Sequence, residues 1–182
     1  MKPKFFRLVS LFGLAAAIVT GYVAFQRTRA NEVVDEANVA IHTATLAAKL
    51  FQQQARAVGP LLSEATLRTD RAKLTAAARD ASQFAAESEQ AFRHAAETAQ
   101  RAIDLTRNEQ MRAVWIRKRD SLLQRAEGAA AGKEGYAVAA DESIADLATM
   151  QVRMEPFAQR AETAKSEADR LNTEAEKLAL GK

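Results

Sequence analysis

The sequence contains no cysteine, three prolines and seven glycines, and its aromatic residues make up 6% of the 182 positions. The absence of cysteine excludes a disulfide framework and any zinc site built on thiolates. The scarcity of turn residues excludes an all-β sandwich or barrel, which needs many turns and strands rich in β-branched and aromatic side chains. Because apolar strand runs do not alternate with glycine-rich turns, the sequence also argues against a doubly wound α/β enzyme.

Alanine is abundant instead and makes up about a fifth of the chain, an unusual share. The charges are distributed unevenly along the sequence. All 23 acidic residues follow Ala30, whereas five of the 26 basic residues precede it. The region after Ala30 therefore carries 21 bases against 23 acids, so the net charge of +3 belongs to the N-terminal segment and does not indicate a polyanion-binding protein.

An uncharged run of eighteen residues, Leu8 to Phe25, follows a basic flank at residues 1–7. At 1.5 Å per residue the run is about 27 Å long, close to the hydrocarbon thickness of a bilayer. We therefore predict a transmembrane helix at residues 8–26, with the N-terminus inside and the C-terminal region extracytoplasmic, which means periplasmic in a bacterium. The alternatives are a signal peptide cleaved after Ala17 or Ala30 and an organellar transit peptide.

Three small residues, Gly13, Ala17 and Gly21, are spaced four apart in this run. On a membrane helix that spacing places them on one face, where another helix can approach closely. The pattern predicts a packing face for a dimer or for a larger membrane partner. The alternative is that small residues are simply common in membrane helices.

Beyond Ala30, apolar residues recur at alternating spacings of three and four, which is the pattern of a coiled-coil seam. Most seam residues are alanine, so the partner helices must approach closely, and Ser88 and Thr98 occupy two seam positions. The predicted elements are a first coiled-coil helix at 30–58, a long middle helix at 61–127, a Gly-rich loop at 128–135 and a C-terminal helix at 136–180.

The arrangement of these helices depends on whether the middle one is continuous. No helix breaker occurs near Ser88, so we predict an all-α fold in which the N-terminal transmembrane helix is followed by an elongated coiled-coil helical hairpin. In this hairpin, residues 83–127 pack against residues 136–180. The alternative is an up-down four-helix bundle, which would require the middle helix to break near Ser88.

Few residues of the sequence indicate a catalytic or metal-binding site. His94 and Glu97 share a helix face, but a di-metal bundle needs Glu-x-x-His on two helices and further glutamates, so a solvated face is the preferred interpretation. His42 lies off the seam and is expected to be exposed. No nucleophile in a Gly-rich turn, no phosphate loop and no dinucleotide fingerprint occurs. We therefore predict no enzyme, no catalytic site, no cofactor and no metal.

The densest positive run also holds the only tryptophan. Such a cluster suits anionic lipid, a cell-wall polymer or an acidic partner, with the indole as an apolar anchor. The alternative is that the tryptophan packs in the hairpin while the basic side chains are solvated. Nucleic acid is not expected, because no aromatic series accompanies the cluster. The candidate anionic-partner patch consists of Arg112, Trp115, Arg117, Lys118 and Arg119.

The layout of a short basic N-terminus, one signal anchor and a charged extracytoplasmic coiled coil resembles the inner-membrane spanins of phage lysis systems. It is also similar to small bitopic scaffold proteins of bacterial envelopes. The resemblance is one of organisation and implies a structural role, with no residue roles attached. We expect a single-pass membrane-anchored helical scaffold or spacer that acts by protein–protein interaction with helical membrane or envelope proteins or with a second copy. The alternatives are an extracytoplasmic helical-bundle sensor or ligand-binding module, and a secreted helical protein.

Overall fold

The computed structural model describes residues 3–181, with side chains from Arg29 onwards. All regular structure in this part of the chain is helical, which confirms the predicted all-α class. The elements are α1 (Pro3–Val58), a 3-10 turn (Gly59–Leu61), α2 (Glu64–Thr69), α3 (Arg71–Leu105), α4 (Glu109–Ala140) and α5 (Leu147–Ala179). The first long helix ends at Val58, where the predicted helix at 30–58 ends, and Gly59-Pro60 then interrupt the helix as a 3-10 turn.

The long helices pack side by side in chain order, with α1 on α3, α3 on α4, and α4 on α5. Neighbours run antiparallel. The Ser82 hydroxyl of α3 donates to the carbonyl of Lys133 at 3.0 Å, and the Ser121 hydroxyl of α4 donates to the carbonyl of Ala168 at 2.8 Å. The two outer helices, α1 and α5, do not pack against each other along their lengths. The result is a helical bundle with one open side.

This bundle corrects the predicted elongated hairpin, because the predicted middle helix at 61–127 is broken twice. It is interrupted around Asp70 and again at residues 106–108, well beyond Ser88. At the second break the Asn108 side chain accepts a hydrogen bond from the backbone N–H of Met111 at 3.0 Å and so caps the start of α4. This turn brings α4 back along α3, whereas the four-helix alternative placed the reversal near Ser88, where α3 is continuous.

The predicted Gly-rich loop at 128–135 is also wrong, because these residues lie inside α4. A glycine within a helix costs about 1 kcal/mol relative to alanine, so close packing is the expected reason for it. A Cβ on Gly132 would lie 2.7 Å from Cζ of Phe51 in α1, and one on Gly135 would lie 3.4 Å from Cβ of Phe157 in α5. Gly132 thus allows the Phe51 ring of α1 to approach the backbone of α4, whereas a Cβ on Gly135 would be in ordinary contact with Phe157.

The predicted C-terminal helix at 136–180 begins later than expected, because α4 continues to Ala140 and a short connection precedes α5. The Asp146 carboxylate accepts a hydrogen bond from the backbone N–H of Thr149 at 2.8 Å and caps α5. Helix α4 contacts both α3 and α5, so it joins the N-terminal and C-terminal parts of the bundle.

Two clusters of buried side chains hold the bundle together, and alanine dominates the first of them. That cluster joins α1, α3 and α4 near the α3–α4 turn, whereas the second joins the opposite ends of α1, α3, α4 and α5. Short alanine side chains permit close helix spacing, as the seam pattern predicted. The largest residues of the first cluster are Phe92, Ile103, Trp115 and Leu122; those of the second are Val58, Leu74, Ile144 and Met150.

The predicted membrane segment cannot be compared with this packing. The span at 8–26, its basic flank at 1–7 and the small residues Gly13, Ala17 and Gly21 lie outside the residues whose side chains are described. From Arg29 to Gly181, the structure contains no helix that is both long enough and apolar enough to cross a bilayer.

The two glycines at the centre of α4 predict different changes in stability when each is replaced by alanine. A Cβ on Gly128 would meet Ala161 O and Ala164 Cβ at an ordinary 3.6 Å, whereas one on Gly132 would collide with the Phe51 ring. That ring packs edge-on against Tyr136, with the ring centroids 6.0 Å apart. We expect Gly128→Ala to raise the free energy of unfolding by about 0.5–1 kcal/mol. We expect Gly132→Ala to lack that gain, because Phe51 must give up its contact with Tyr136.

Thermal and urea unfolding of the full chain, followed by circular dichroism, measures both variants. Combining Gly132→Ala with Phe51→Ala provides the control, because without the ring the added methyl no longer clashes and the helix-propensity gain should return. Equal stabilisation by the two single substitutions would contradict the close packing of α1 on Gly132.

A polar link between α3 and α4 predicts a pH dependence of stability. The Glu89 carboxylate accepts hydrogen bonds from Lys133 Nζ at 2.7 Å and from Arg93 Nη2 at 3.0 Å. The bond from Lys133 is the main reason that the pKa of Glu89 lies below its ordinary 4.5. Because the pKa is lower in the folded state, the stabilisation is fully present above the unfolded pKa and is lost as the pH falls through the folded value.

Replacing Glu89 by glutamine should therefore lower the free energy of unfolding by about 0.5 kcal/mol at pH 7, since solvent still screens the pair. The difference should shrink to nothing as the pH falls below 4.5 and through the lowered pKa. Glu162→Gln serves as the control, because Glu162 is 76% exposed and lies 3.9 Å from its nearest basic partner. A stability difference that persists unchanged at acid pH would show that Glu89 acts through packing instead of charge.

Candidate functional site

The basic residues of the predicted anionic-partner patch do not form one surface. Arg117 Nε lies 3.0 Å from a carboxylate oxygen of Glu174 in α5. The Arg119 guanidinium donates to the neighbouring Asp120 of α4 at 2.6 Å and to Gln100 of α3 at 2.6 Å. Successive helical residues point about 100° apart, so three adjacent basic residues reach three different neighbours.

The remaining patch residues are divided between the core and the surface. Trp115 is 3% exposed and belongs to the core cluster of α1, α3 and α4. Lys118 Nζ lies 4.8 Å from the centroid of the Trp115 ring, close enough for a cation–π contact. Arg112 is exposed on α4. The geometry therefore assigns Trp115 to packing, and of the five residues only Trp115 and Lys118 line a depression between helices.

That depression is part of a groove along the open side of the bundle, which we call the open-side groove. It consists of three adjoining cavities of about 660, 440 and 240 Å³, of which each shares lining residues with the next. The first cavity lies between α1 and the α3–α4 turn, and the other two lie between α1 and α5. On α1 the groove extends from Ala30 to Gln52, a distance of about 33 Å.

The floor of the groove is apolar, whereas its walls carry mainly positive charge. The single acid among the lining residues of the second and third cavities is Asp169, which pairs with Arg125 at 3.0 Å and with Lys165 at 3.8 Å. Basic side chains thus outnumber acids along the walls. The floor includes Phe51, Phe92, Trp115, Leu122 and Ala129, and the basic side chains of the walls are Lys49, Arg107, Lys118, Arg125 and Lys165.

One buried hydroxyl on the floor has no hydrogen-bond partner. Ser88 is 1% exposed, lines the smallest cavity, and its Oγ contacts no donor or acceptor among the described residues. Thr98, the other polar residue on the α3 seam, instead donates to the carbonyl of Ala95 at 2.9 Å. Leaving a buried hydroxyl unpaired costs about 1–3 kcal/mol. Thr75 Oγ1 and two nitrogens of Arg71 are also unpaired, but they line none of the three groove cavities.

Sequence reasoning did not find this groove, although it placed Ser88 on the seam. A serine in a position otherwise filled by alanine is the available signal, but the seam pattern alone gives it no role beyond that of an alanine. The lining residues Arg125 and Lys165 gave no signal, because each belongs to an ordinary exposed helix face. Their meeting at one cavity depends on how α4 and α5 pack.

The histidines form no site with their neighbours. His42, His94 and Glu97 are exposed, and the part of the chain described with side chains contains no group of three or more histidine, aspartate or glutamate residues able to hold a metal ion. Comparison of the chain with protein families, characterised proteins and solved structures finds no significant match.

Proposed function

We propose that the chain is a single-pass membrane-anchored helical scaffold or spacer that acts by protein–protein interaction. The observation that supports it most directly is the position of the uncharged run at 8–25 relative to the bundle. Val33, only eight residues beyond Phe25, already packs against the core of α1, α3 and α4. An anchor at 8–26 would therefore hold the bundle about 12 Å from the bilayer, with no long linker between them.

A stripe of exposed apolar side chains on α1 supports the interaction role. Val39, Leu46 and Leu50 are 66%, 47% and 48% exposed. They lie within about 40° of one another around the helix, on a face that is separate from the buried Ala37, Ala40 and Ala44. Exposed apolar residues grouped on one helix face are typical of a surface that another helix covers. A helical membrane or envelope protein, or a second copy of this chain, is the proposed partner.

One experiment on native membranes tests the anchor and the partner together. After expression of the full chain, the membranes are extracted with alkaline carbonate and the intact mass of the protein is measured. We expect the chain to remain in the membrane pellet with Met1 to Phe25 intact, because an uncleaved apolar helix resists extraction. A mature N-terminus at Ile18 or Asn31 would contradict the anchor and support the secreted alternative.

The same membranes are treated with a crosslinker before solubilisation to test the partner surface. The double substitution Leu46→Gln and Leu50→Gln should abolish the crosslinked species seen with the unmodified chain. Val152→Gln is the matched control, since Val152 is 69% exposed on α5 and lies away from the stripe. A crosslinking pattern that shows only monomer for the unmodified chain would contradict the scaffold role.

The open-side groove favours a second candidate function, that of an extracytoplasmic helical-bundle ligand-binding module. Its three cavities together are large enough for a small amphipathic molecule, and ligand sites commonly lie between the helices of a bundle. The scaffold role requires no such groove. The two functions therefore predict different consequences when the groove is altered.

A further inference from the structure

We propose that the open-side groove binds a single-chain anionic amphiphile, specifically a long-chain fatty acid. The carboxylate lies beside Ser88, Arg125 and Lys165, and the alkyl chain follows the apolar floor toward Ala30. The proposal gives the second candidate function its ligand. It rests on the groove of the described residues, and it does not depend on the membrane anchor.

The polar end of the groove provides the groups that a carboxylate needs. Ser88, Arg125 and Lys165 line the same cavity, and the Ser88 hydroxyl lacks a partner within the fold. Among the residues that line this cavity, Arg125 and Lys165 face one carboxylate, that of Asp169, and Lys165 also lies 3.9 Å from the exposed Glu162 outside the cavity. A bound carboxylate would accept a hydrogen bond from the hydroxyl and lie beside the two cations, and hydrogen bonds to an ionised group are among the stronger ones.

The rest of the groove suits a straight alkyl chain. Leu122 and Phe92 line the middle cavity, and Val34, Met111 and Trp115 line the cavity at the far end. From Gln52 to Val34 the cavities adjoin along about 27 Å of α1. Burial of methylene groups on this floor would supply most of the affinity, at about 0.8 kcal/mol for each CH₂.

The walls argue against a partner helix as the occupant. An amphipathic helix presents an apolar stripe about 100° wide, so it needs apolar side chains on both walls of its groove. The α5 wall instead presents Lys165, Asp169 and Asn172. A narrow apolar floor between polar walls suits an alkyl chain. Such a chain is narrower than a helix and does not need apolar side chains on both walls.

The test uses the full chain in zwitterionic nanodiscs with a palmitate probe that carries a photoactivatable diazirine near the end of its chain. Irradiation should crosslink the probe to the α1 segment around Val34 and to the α4 segment around Met111 and Trp115. Excess unlabelled palmitate should prevent this labelling. Mass spectrometry of the proteolysed chain locates the crosslinks and gives their yield as a function of probe concentration.

Two sets of variants test the carboxylate end. Ser88→Ala and the double substitution Arg125→Gln with Lys165→Gln should each weaken labelling about tenfold, the effect of losing one hydrogen bond to an ionised group. The double substitution Arg153→Gln with Lys177→Gln removes two exposed charges outside the groove and should leave the affinity unchanged. The unfolding temperature of Ser88→Ala should not fall, because the hydroxyl it removes has no partner in the fold.

Several outcomes would overturn the proposal. Labelling that excess palmitate does not reduce, or that the groove variants leave unchanged, would show non-specific contact with the probe. Competition by lysophosphatidate but not by palmitate would show that the head group is a phosphate. A protein helix crosslinked across the groove in place of the probe would make the groove a docking site for a partner. If the chain does not insert into nanodiscs, only the membrane anchor is contradicted. The probe can then be added to the chain in solution, and the groove is tested in the same way.

Discussion

The close approach of α1 and α5 to the backbone of α4 is the constraint on which the rest of the structure depends. Gly132 leaves room for the Phe51 ring, and Gly128 and Gly135 leave room for Ala161, Ala164 and Phe157. A Cβ on Gly132 would push the Phe51 ring of α1 away from α4, whereas a Cβ on Gly128 or Gly135 would meet α5 at ordinary contact distances. The close fit of α1 on α4 therefore depends on Gly132.

The same constraint creates the groove. Because α1 packs mainly on α3 while α5 packs on α4, the two outer helices leave one side of the bundle open. The floor of that opening is made of the side chains that α3 and α4 present between the outer helices, among them Phe92 and Leu122. Ser88 lies at the end where Phe51 of α1 meets α4, so its unpaired hydroxyl and the close helix packing occur together. The proposed ligand site is thus a consequence of the packing.

The sequence predicts the helical class and the break at Gly59-Pro60, because both follow from local patterns of alanine, glycine and proline. It does not predict that Gly128 to Gly135 are helical. The glycine at 132 makes room for the Phe51 ring, and Phe51 is distant along the chain. Asn108 could have been recognised as a helix cap from its residue type, whereas the dispersal of Arg117, Lys118 and Arg119 follows directly from helical geometry. The groove exists because α1 and α5 do not pack against each other, and no local sequence pattern predicts which helices stay apart.

The most direct test of this account is a set of distances between spin labels in the full chain, which contains no cysteine and so accepts single labels cleanly. One pair, Lys49→Cys with Asn172→Cys, lies on α1 and α5 on the two walls of the open-side groove. A reference pair, Gln124→Cys with Thr163→Cys, lies on the packed helices α4 and α5. The open packing of α1 and α5 predicts a longer distance for the α1–α5 pair than for the reference pair. Equal distances would show a closed bundle with no groove and would contradict both the open packing and the ligand site derived from it.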